Sequence, residues 1–293
     1  MIKQGIILKG ISGFYYVECD NTVYECKAKG VFRRQNIKPV AGDRVTISVN
    51  ESAENIIEQV LPRKNYFERP CVSNIDKLFV IVSSCEPSPV PLIIDRIIAS
   101  AVLKDIEPVV VLTKSDLMDN PVKGIYKSVG IKEYSVSSVT GKGVEEIKKE
   151  LSGCLSAFCG NSGVGKSSLL NAIDPSLNLK TDRISQKLGR GKHTTRECEL
   201  FRVSGGMVAD TPGFSSFDFK NDVIPAEQVE DCFPEFKKYI HDCLFTSCRH
   251  IKDKGCAVKG AVNSGLIPVS RYESYCSLYL DSVQVNPWDQ KKK

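Results

Sequence analysis

The chain has 293 residues, 42% hydrophobic and 26% charged, with a formal net charge of +5. That length and balance exclude a disordered or low-complexity chain and leave room for about two domains with a substantial core. No apolar run approaches the ~18 residues of a membrane helix, and the opening MIKQGIILKGISGFYY lacks a signal-peptide layout, so a cytoplasmic protein with no membrane partner is expected.

Residues 1–68 read as an all-β unit. Gly5–Leu8, Gly13–Val17, Thr22–Tyr24, Asp43–Val49 and Asn55–Ile57 are short β-rich runs separated by Gly, Asn, Asp and Pro. Five such strands suit a small closed barrel, with an OB-fold as the expected form. Lys27, Lys29, Arg33 and Arg34 beside Tyr24 and Phe32 offer the cations and rings with which such barrels hold nucleic acid. The plainer alternative is a barrel that only packs on its neighbour. Arg63–Pro70 reads as a linker.

From 71 to 223 strand and helix patterns alternate, as in a doubly wound α/β sheet. Asp76–Val82 reads as a strand, Pro91–Leu103 as a helix and Ile106–Leu112 as a buried strand. Thr113-Lys114-Ser115-Asp116 stand at the C-terminal end of that strand, where such sheets bind ligands. The Asp116 carboxylate can accept from guanine N1–H and N2–H₂ together, a pair that adenine does not offer; a mismatch of this type can cost ~10⁴–10⁵ in specificity. The Lys114 stem is expected along the base, and Thr113 retains a hydroxyl donor. Ser137-Ser138, followed by Gly141-Lys142-Gly143 and Val144–Ile147, forms a strand–turn–helix whose backbone N–H can reach guanine O6.

Residues 160–167 read GNSGVGKS, between a buried strand at Cys154–Cys159 and an apolar helix from Ser168. This is the phosphate-binding pattern G-x-x-x-x-G-K-[ST]. Its glycines let the backbone curl so that the segment Gly160, Asn161, Ser162, Gly163, Val164, Gly165, Lys166, Ser167 and Ser168 turns N–H groups toward phosphates, aided by the helix N-terminus. Lys166 is expected to bridge the β- and γ-phosphates and Ser167 to ligate Mg²⁺. Asp210-Thr211-Pro212-Gly213 ends the next apolar strand, with Asp210 placed to hold Mg²⁺ through water and the Gly213 N–H to meet the γ-phosphate. Arg183 to Arg196 carries Lys187, Arg190 and Lys192 with no acidic residue; a solvated loop and a nucleotide-sensitive switch both fit.

After about 224 the chain turns helical and reads Cys243-x4-Cys248-x-His250-x5-Cys256. Three thiolates and one imidazole make a closed tetrahedral zinc set. Cys232 and His241 are substitute ligands on the same arithmetic. Twelve cysteines are about 4% of the chain, below the ~8–10% of disulfide scaffolds, so structural zinc is expected and the other cysteines read as small core residues.

The base-reading residues precede the phosphate loop, whereas ordinary GTPases have them last, so the chain resembles a circularly permuted GTPase. It closely resembles the bacterial ribosome small-subunit-dependent GTPase A family, nearly end to end: barrel, TKSD before GNSGVGKS, GRGKHTTR at 189–196, DTPGF at 210–214 and the Cys/His cluster. The resemblance implies an α/β, circularly permuted GTPase domain at 71–223, flanked by an OB-like barrel at 1–68 and a helical zinc-binding module at 224–293. It implies Mg²⁺-dependent GTP hydrolysis to GDP, stimulated by the small ribosomal subunit, late in that subunit's maturation, with the subunit and its rRNA as partners. A monomer is the default. Thr194 and Thr195 fall in the switch that ligates Mg²⁺, with either as the ligand; Lys166 and Thr195 join the catalytic set. His193 beside them is a candidate to position water, or equally to contact RNA. Many GTPases carry Asn at the Thr113 position. Phe214 stands where Ras-like proteins place a water-orienting Gln, and a phenyl ring can do no such thing, which predicts slow intrinsic hydrolysis and dependence on a partner. The segment after DTPG leads into the zinc module, so γ-phosphate contacts are expected to reorient it. Two other functions fit parts of the pattern: a metal-delivery protein, which the closed ligand set opposes, and a nucleotide-sensing scaffold without turnover.

Overall fold

The computed structural model describes residues 1–34, 37–50, 53–68, 70–179, 198–210 and 224–284, with the backbone alone for Arg33 and Asp210. Strands β1 (Ile2–Ile11), β2 (Phe14–Cys19) and β3 (Thr22–Ala28), the short helix α1 (Val31–Arg34), and strands β4 (Arg44–Ser48) and β5 (Asn55–Val60) build the N-terminal unit. The strands close in the order β1-β2-β3-β5-β4, with β3–β5 parallel and the other pairs antiparallel. This is the five-stranded barrel expected from the strand spacing. Alternate residues Ile7, Val17, Cys19, Val45, Ile47 and Ile57 fill its interior, as the two-residue period of a strand requires. Phe32 is buried in that core rather than lying on a nucleic-acid face: an aromatic ring on a one-turn helix is stabilised more by filling the barrel than by facing water.

Residues 63–70, read from sequence as a linker, carry structure of their own. β6 (Tyr66–Glu68) and β7 (Cys71–Ser73) pair as a hairpin that buries Phe67 and Val72. Arg63 grips the fully buried Asp43 through Nε at 2.7 Å and a terminal nitrogen at 2.8 Å and stacks on Tyr66, 4.6 Å from the ring centre. A carboxylate buried this deeply needs such a partner.

The next unit comprises β8 (Lys77–Ser83), α2 (Pro91–Leu103), β9 (Glu107–Thr113), α3 (Ile125–Ser128), β10 (Lys132–Ser135), α4 (Val144–Leu151), β11 (Leu155–Cys159), α5 (Lys166–Ile173), β12 (Glu199–Val203) and β13 (Gly206–Asp210). The sheet runs β10-β9-β8-β11-β13-β12, parallel throughout except at the edge strand β12. Both faces are covered, which explains the near-continuous apolar strands. Leu78, Val80 and Val82 pack on the α2 side with Ile94, Ile98 and Tyr126. Phe79 and Ile81 pack on the other with Ile147, Leu151 and Leu169. Strand β9, which leads into Thr113–Asp116, and strand β11, which leads into Gly160–Ser167, both adjoin β8, so the permuted chain order still brings the two motifs to one edge of the sheet.

The barrel meets the sheet at the β12 edge, where Lys9 pairs with Glu199 at 2.6 Å and Arg202 takes Glu18 at 2.8 Å. Past residue 224 come short 3₁₀ turns between Ala226 and Asp242, then α6 (Ala257–Asn263) and α7 (Val269–Gln284). Val229, Phe233, Phe236, Ile267, Tyr275 and Leu278 form their core, with Ala99 of α2 included in it. Arg271 of α7, fully buried, binds Glu235 through two nitrogens (2.7 and 3.0 Å) and Asp95 of α2 at 2.8 Å. Among the described residues no helix is long and apolar enough to cross a membrane.

Candidate nucleotide and metal sites

The fully buried strand β11 delivers the chain to Gly160, whose φ of +147° disfavours other residues and where an added Cβ would stand 2.4 Å from the Ile81 carbonyl. The loop closes at Gly165, left-handed at φ +97°, which starts α5. The Lys166 ammonium folds back over the loop and donates to the carbonyls of Gly160 (2.5 Å) and Asn161 (2.9 Å). Burial pushes its pKa down, so the site favours an anion beside it. Two of the ammonium's three donors are thereby anchored and one remains for a ligand oxygen. Asn161, Ser162 and Gly163 are exposed; Ser167 and Ser168 are half-buried in the first turn of α5, and Val164 is buried beneath the loop.

Thr113 does more than keep a donor. Its hydroxyl, buried at the end of β9, donates to the Val164 carbonyl at 2.5 Å and so fastens the Thr113–Asp116 loop to the Gly160–Ser167 loop. Lys114 adopts a left-handed φ of +57° and its ammonium donates to the Glu86 carbonyl at 2.5 Å, which fixes the direction of its stem. Ser115 N–H donates to the Val136 carbonyl, drawing in the turn that follows β10. Asp116 is exposed at the rim of these loops. Ser137 is fully buried and its Oγ accepts from the N–H groups of Val139 (3.3 Å) and Thr140 (3.1 Å); its side chain shapes the turn, while Ser138 follows half-buried. Asp210 ends β13 on the same edge as Gly160. His193, Thr194, Thr195, Gly213 and Phe214 lie outside the described residues.

Cys243, Cys248, His250 and Cys256 bring one donor atom each to within 4.8 Å of all the others. His250 Nδ1 stands 3.3 Å from Cys256 Sγ and 3.6 Å from Cys243 Sγ. Four ligands around one tetrahedral zinc stand about 3.5–3.8 Å apart, given Zn–S of about 2.3 Å and Zn–N of about 2.0 Å, so the residues fit such an ion. Burial pushes the Cys248 thiol up to about 12; a cation is what would hold a thiolate there. Backbone N–H groups of His250 and Lys259 already aim at Cys248 and Cys256 sulfur, each at 3.4 Å. The two substitutes are not in the cluster: Cys232 is buried elsewhere with its thiol on the Gln228 carbonyl, and His241 lies within the 3₁₀ turn Ile240–Asp242, outside it. One neighbour was not visible in the spacing. Glu230, twenty residues before His250, places Oε2 3.0 Å from His250 Nε2.

The RsgA GTPase family model matches residues 60–220, and that of the RsgA N-terminal domain matches residues 4–57. The chain is 43% identical over 283 residues to the small ribosomal subunit biogenesis GTPase RsgA of Geobacillus sp. (strain WCH70), covering 94% of this chain and 96% of that protein. It is 42% identical over 284 residues to the protein of the same name from Moorella thermoacetica, covering 96% and 97%. Among solved structures, YjeQ from Thermotoga maritima superimposes with a TM-score of 0.83 at 35% identity, covering 98% of this chain and 100% of that one. YloQ, described as a circularly permuted GTPase, does so at 0.81 and 32%, covering 98% and 97%. Similarity at this level through every part of the chain admits one conclusion: the chain belongs to the RsgA GTPase family.

Proposed function

We propose that this GTPase acts in the cytoplasm on the small ribosomal subunit late in its maturation, binding the subunit and its rRNA and being stimulated by it. One observation carries the reading: the Thr113–Val164 bond that joins a guanine-reading loop to a phosphate loop, in a chain alike from end to end to small-subunit biogenesis GTPases. In this reading Asp116 pairs with guanine, Lys114 lies along it, and the turn at Ser137-Ser138 faces its O6. The N–H groups from Gly160 to Ser168 hold the phosphates, with the free Lys166 donor on the β- and γ-oxygens. Ser167, Asp210 and either Thr194 or Thr195 hold Mg²⁺, which would neutralise charge developing on the phosphates; Gly213 meets the γ-phosphate. His193 is the candidate to position water, since Phe214 offers no donor or acceptor. Cys243, Cys248, His250 and Cys256 would hold one zinc ion as a closed structural centre. Lys3 and Lys27 stand over the rings of Tyr24 and Phe14 at 5.8 and 5.1 Å, each also paired with an acidic side chain, Asp20 and Glu54; these cation–ring pairs are where the barrel would meet RNA. The working division is 1–68, 71–223 and 224–293, in a monomer.

Phosphate release is measured with protein alone, with small subunits and with large subunits. Stimulation by small subunits of about 10³-fold or more, the range of a partner that completes a weak site, is expected. Equal turnover in all three would overturn the reading, and binding without turnover would favour the sensing scaffold.

A further inference from the structure

We infer that Glu230 is the residue that orients the metal-binding histidine, by accepting a hydrogen bond from the N–H that His250 must carry at Nε2 in order to offer Nδ1 to a metal. This rests on the metal reading of the Cys/His cluster. The geometry separates the two ring nitrogens. Nδ1 faces Cys243 and Cys256 sulfur, while Nε2 faces Glu230 Oε2 at 3.0 Å. A neutral imidazole has one proton, and the nitrogen that ligates cannot hold it. His250 is buried, 1% exposed, so a proton left on Nε2 without an acceptor would be an unsatisfied donor, and the opposite tautomer would block ligation. Glu230 is the acceptor at that nitrogen among the described residues, and such a partner fixes the tautomer and ring orientation of a ligating histidine. The ring has little freedom to turn away. Phe236 meets it edge-on at 5.8 Å, Tyr275 lies 6.2 Å off, and the Tyr272 hydroxyl holds the His250 carbonyl at 2.7 Å.

The placement of Glu230 in the chain adds a consequence. It sits on the 3₁₀ turn Glu230–Cys232, 17 residues after the Gly213 of DTPG, so the grip on the histidine comes from the part of the chain that follows the DTPG motif. Glu230 is 27% exposed at its side chain and is not part of the core of Phe233, Phe236 and Tyr275, so its replacement is expected to leave that core in place.

The test uses the full chain, stripped of metal and titrated with zinc against a chromogenic chelator, with the imidazole N–H signals of His250 followed in parallel by nitrogen-15 NMR. Glu230→Ala is expected to lower zinc affinity about 10–100-fold and to abolish a slowly exchanging proton on Nε2. Glu230→Gln keeps an acceptor oxygen at the same reach and is expected to lose less. Circular dichroism of each variant reports whether it is folded. Unchanged zinc affinity in a folded Glu230→Ala protein, or an Nε2 proton equally protected with and without the carboxylate, would overturn the inference. If the unaltered chain takes up no zinc at all, the metal reading itself fails, a result distinct from either.

Discussion

Thr113 shows how much a single hydroxyl can carry. Its bond to the Val164 carbonyl is buried, so Thr113→Val, which keeps the shape and removes the donor, leaves that carbonyl unpaired at a cost of about 1–3 kcal/mol. Urea unfolding should show the loss, and titration with a fluorescent GTP analogue should show weaker binding because two loops lose their common anchor; Thr113→Ser should restore both. Unaltered nucleotide affinity in Thr113→Val would refute the anchoring role. The residue types at 113–116 and 160–167 were legible in the sequence because each motif is contiguous and its chemistry is local. The anchor was not legible, since Val164 lies 51 residues from Thr113 and contributes only a carbonyl. Glu230 escaped for the same reason: a carboxylate twenty residues from a histidine has no signature until the fold sets the distance, whereas Cys243, Cys248, His250 and Cys256 fall within one short run.

Among the elements, α2 matched its expected span of Pro91–Leu103, because Pro at the first helical position and a long apolar pattern mark both its start and its type. The three-residue strands of the β6–β7 hairpin and the 3₁₀ turns after Ala226 are too short to show any period. Helix packing also rests on distant partners: Arg271 joins α7 to α2 across 176 residues. Removing the guanidinium with Arg271→Ala strands two buried carboxylates and should cost about 3–5 kcal/mol, while Arg271→Met combined with Asp95→Leu and Glu235→Leu should fall near neutral or better; thermal unfolding of both proteins decides. A second electrostatic element joins β8, β10 and α4. Burial alone would raise the Glu150 carboxyl, yet hydrogen bonds from Lys77, Lys132 and Tyr134 pull it down to about 2. A carboxyl lowered on folding contributes stability above its unfolded value of about 4.5, and that contribution fades as pH falls from there toward 2. With solvent screening allowed for, about 1–2 kcal/mol should disappear over that window. Urea midpoints at pH 5 and pH 3 should therefore differ less in Glu150→Gln than in the unaltered chain, and parallel pH profiles would contradict the assignment.

For the molecule as a whole, the question is whether the C-terminal module with the Cys/His cluster swings with nucleotide state, as the permuted order first implies. The DTPG-containing segment is one connection to it, but α7 is a second, packed on α2 through the buried Asp95–Arg271–Glu235 network, with the guanidinium 4.5 Å from the Phe233 ring. Helix α2 in turn follows the loop whose Glu86 carbonyl holds Lys114 and whose Pro87 lies 3.9 Å from where a Gly163 Cβ would stand. Parting α7 from α2 would expose an ion network whose disruption costs about 3–5 kcal/mol, whereas coupling between ligand sites usually amounts to about 1–3 kcal/mol. A γ-phosphate alone is therefore too weak to detach the module, and α2, α7 and the Cys/His centre should move as one body. Any nucleotide response should instead concentrate in the loops at the C-terminal edge of the sheet. Hydrogen exchange read by mass spectrometry tests this directly. Protection across 269–284 should be the same with a GTP analogue and with GDP, while metal chelation should raise exchange at 243–263 and leave the barrel strands β1–β5 unchanged. A clear loss of protection in α7 on exchange of GTP analogue for GDP would mean that the module does swing, and that the buried arginine is a hinge contact broken in each cycle rather than a fixed joint.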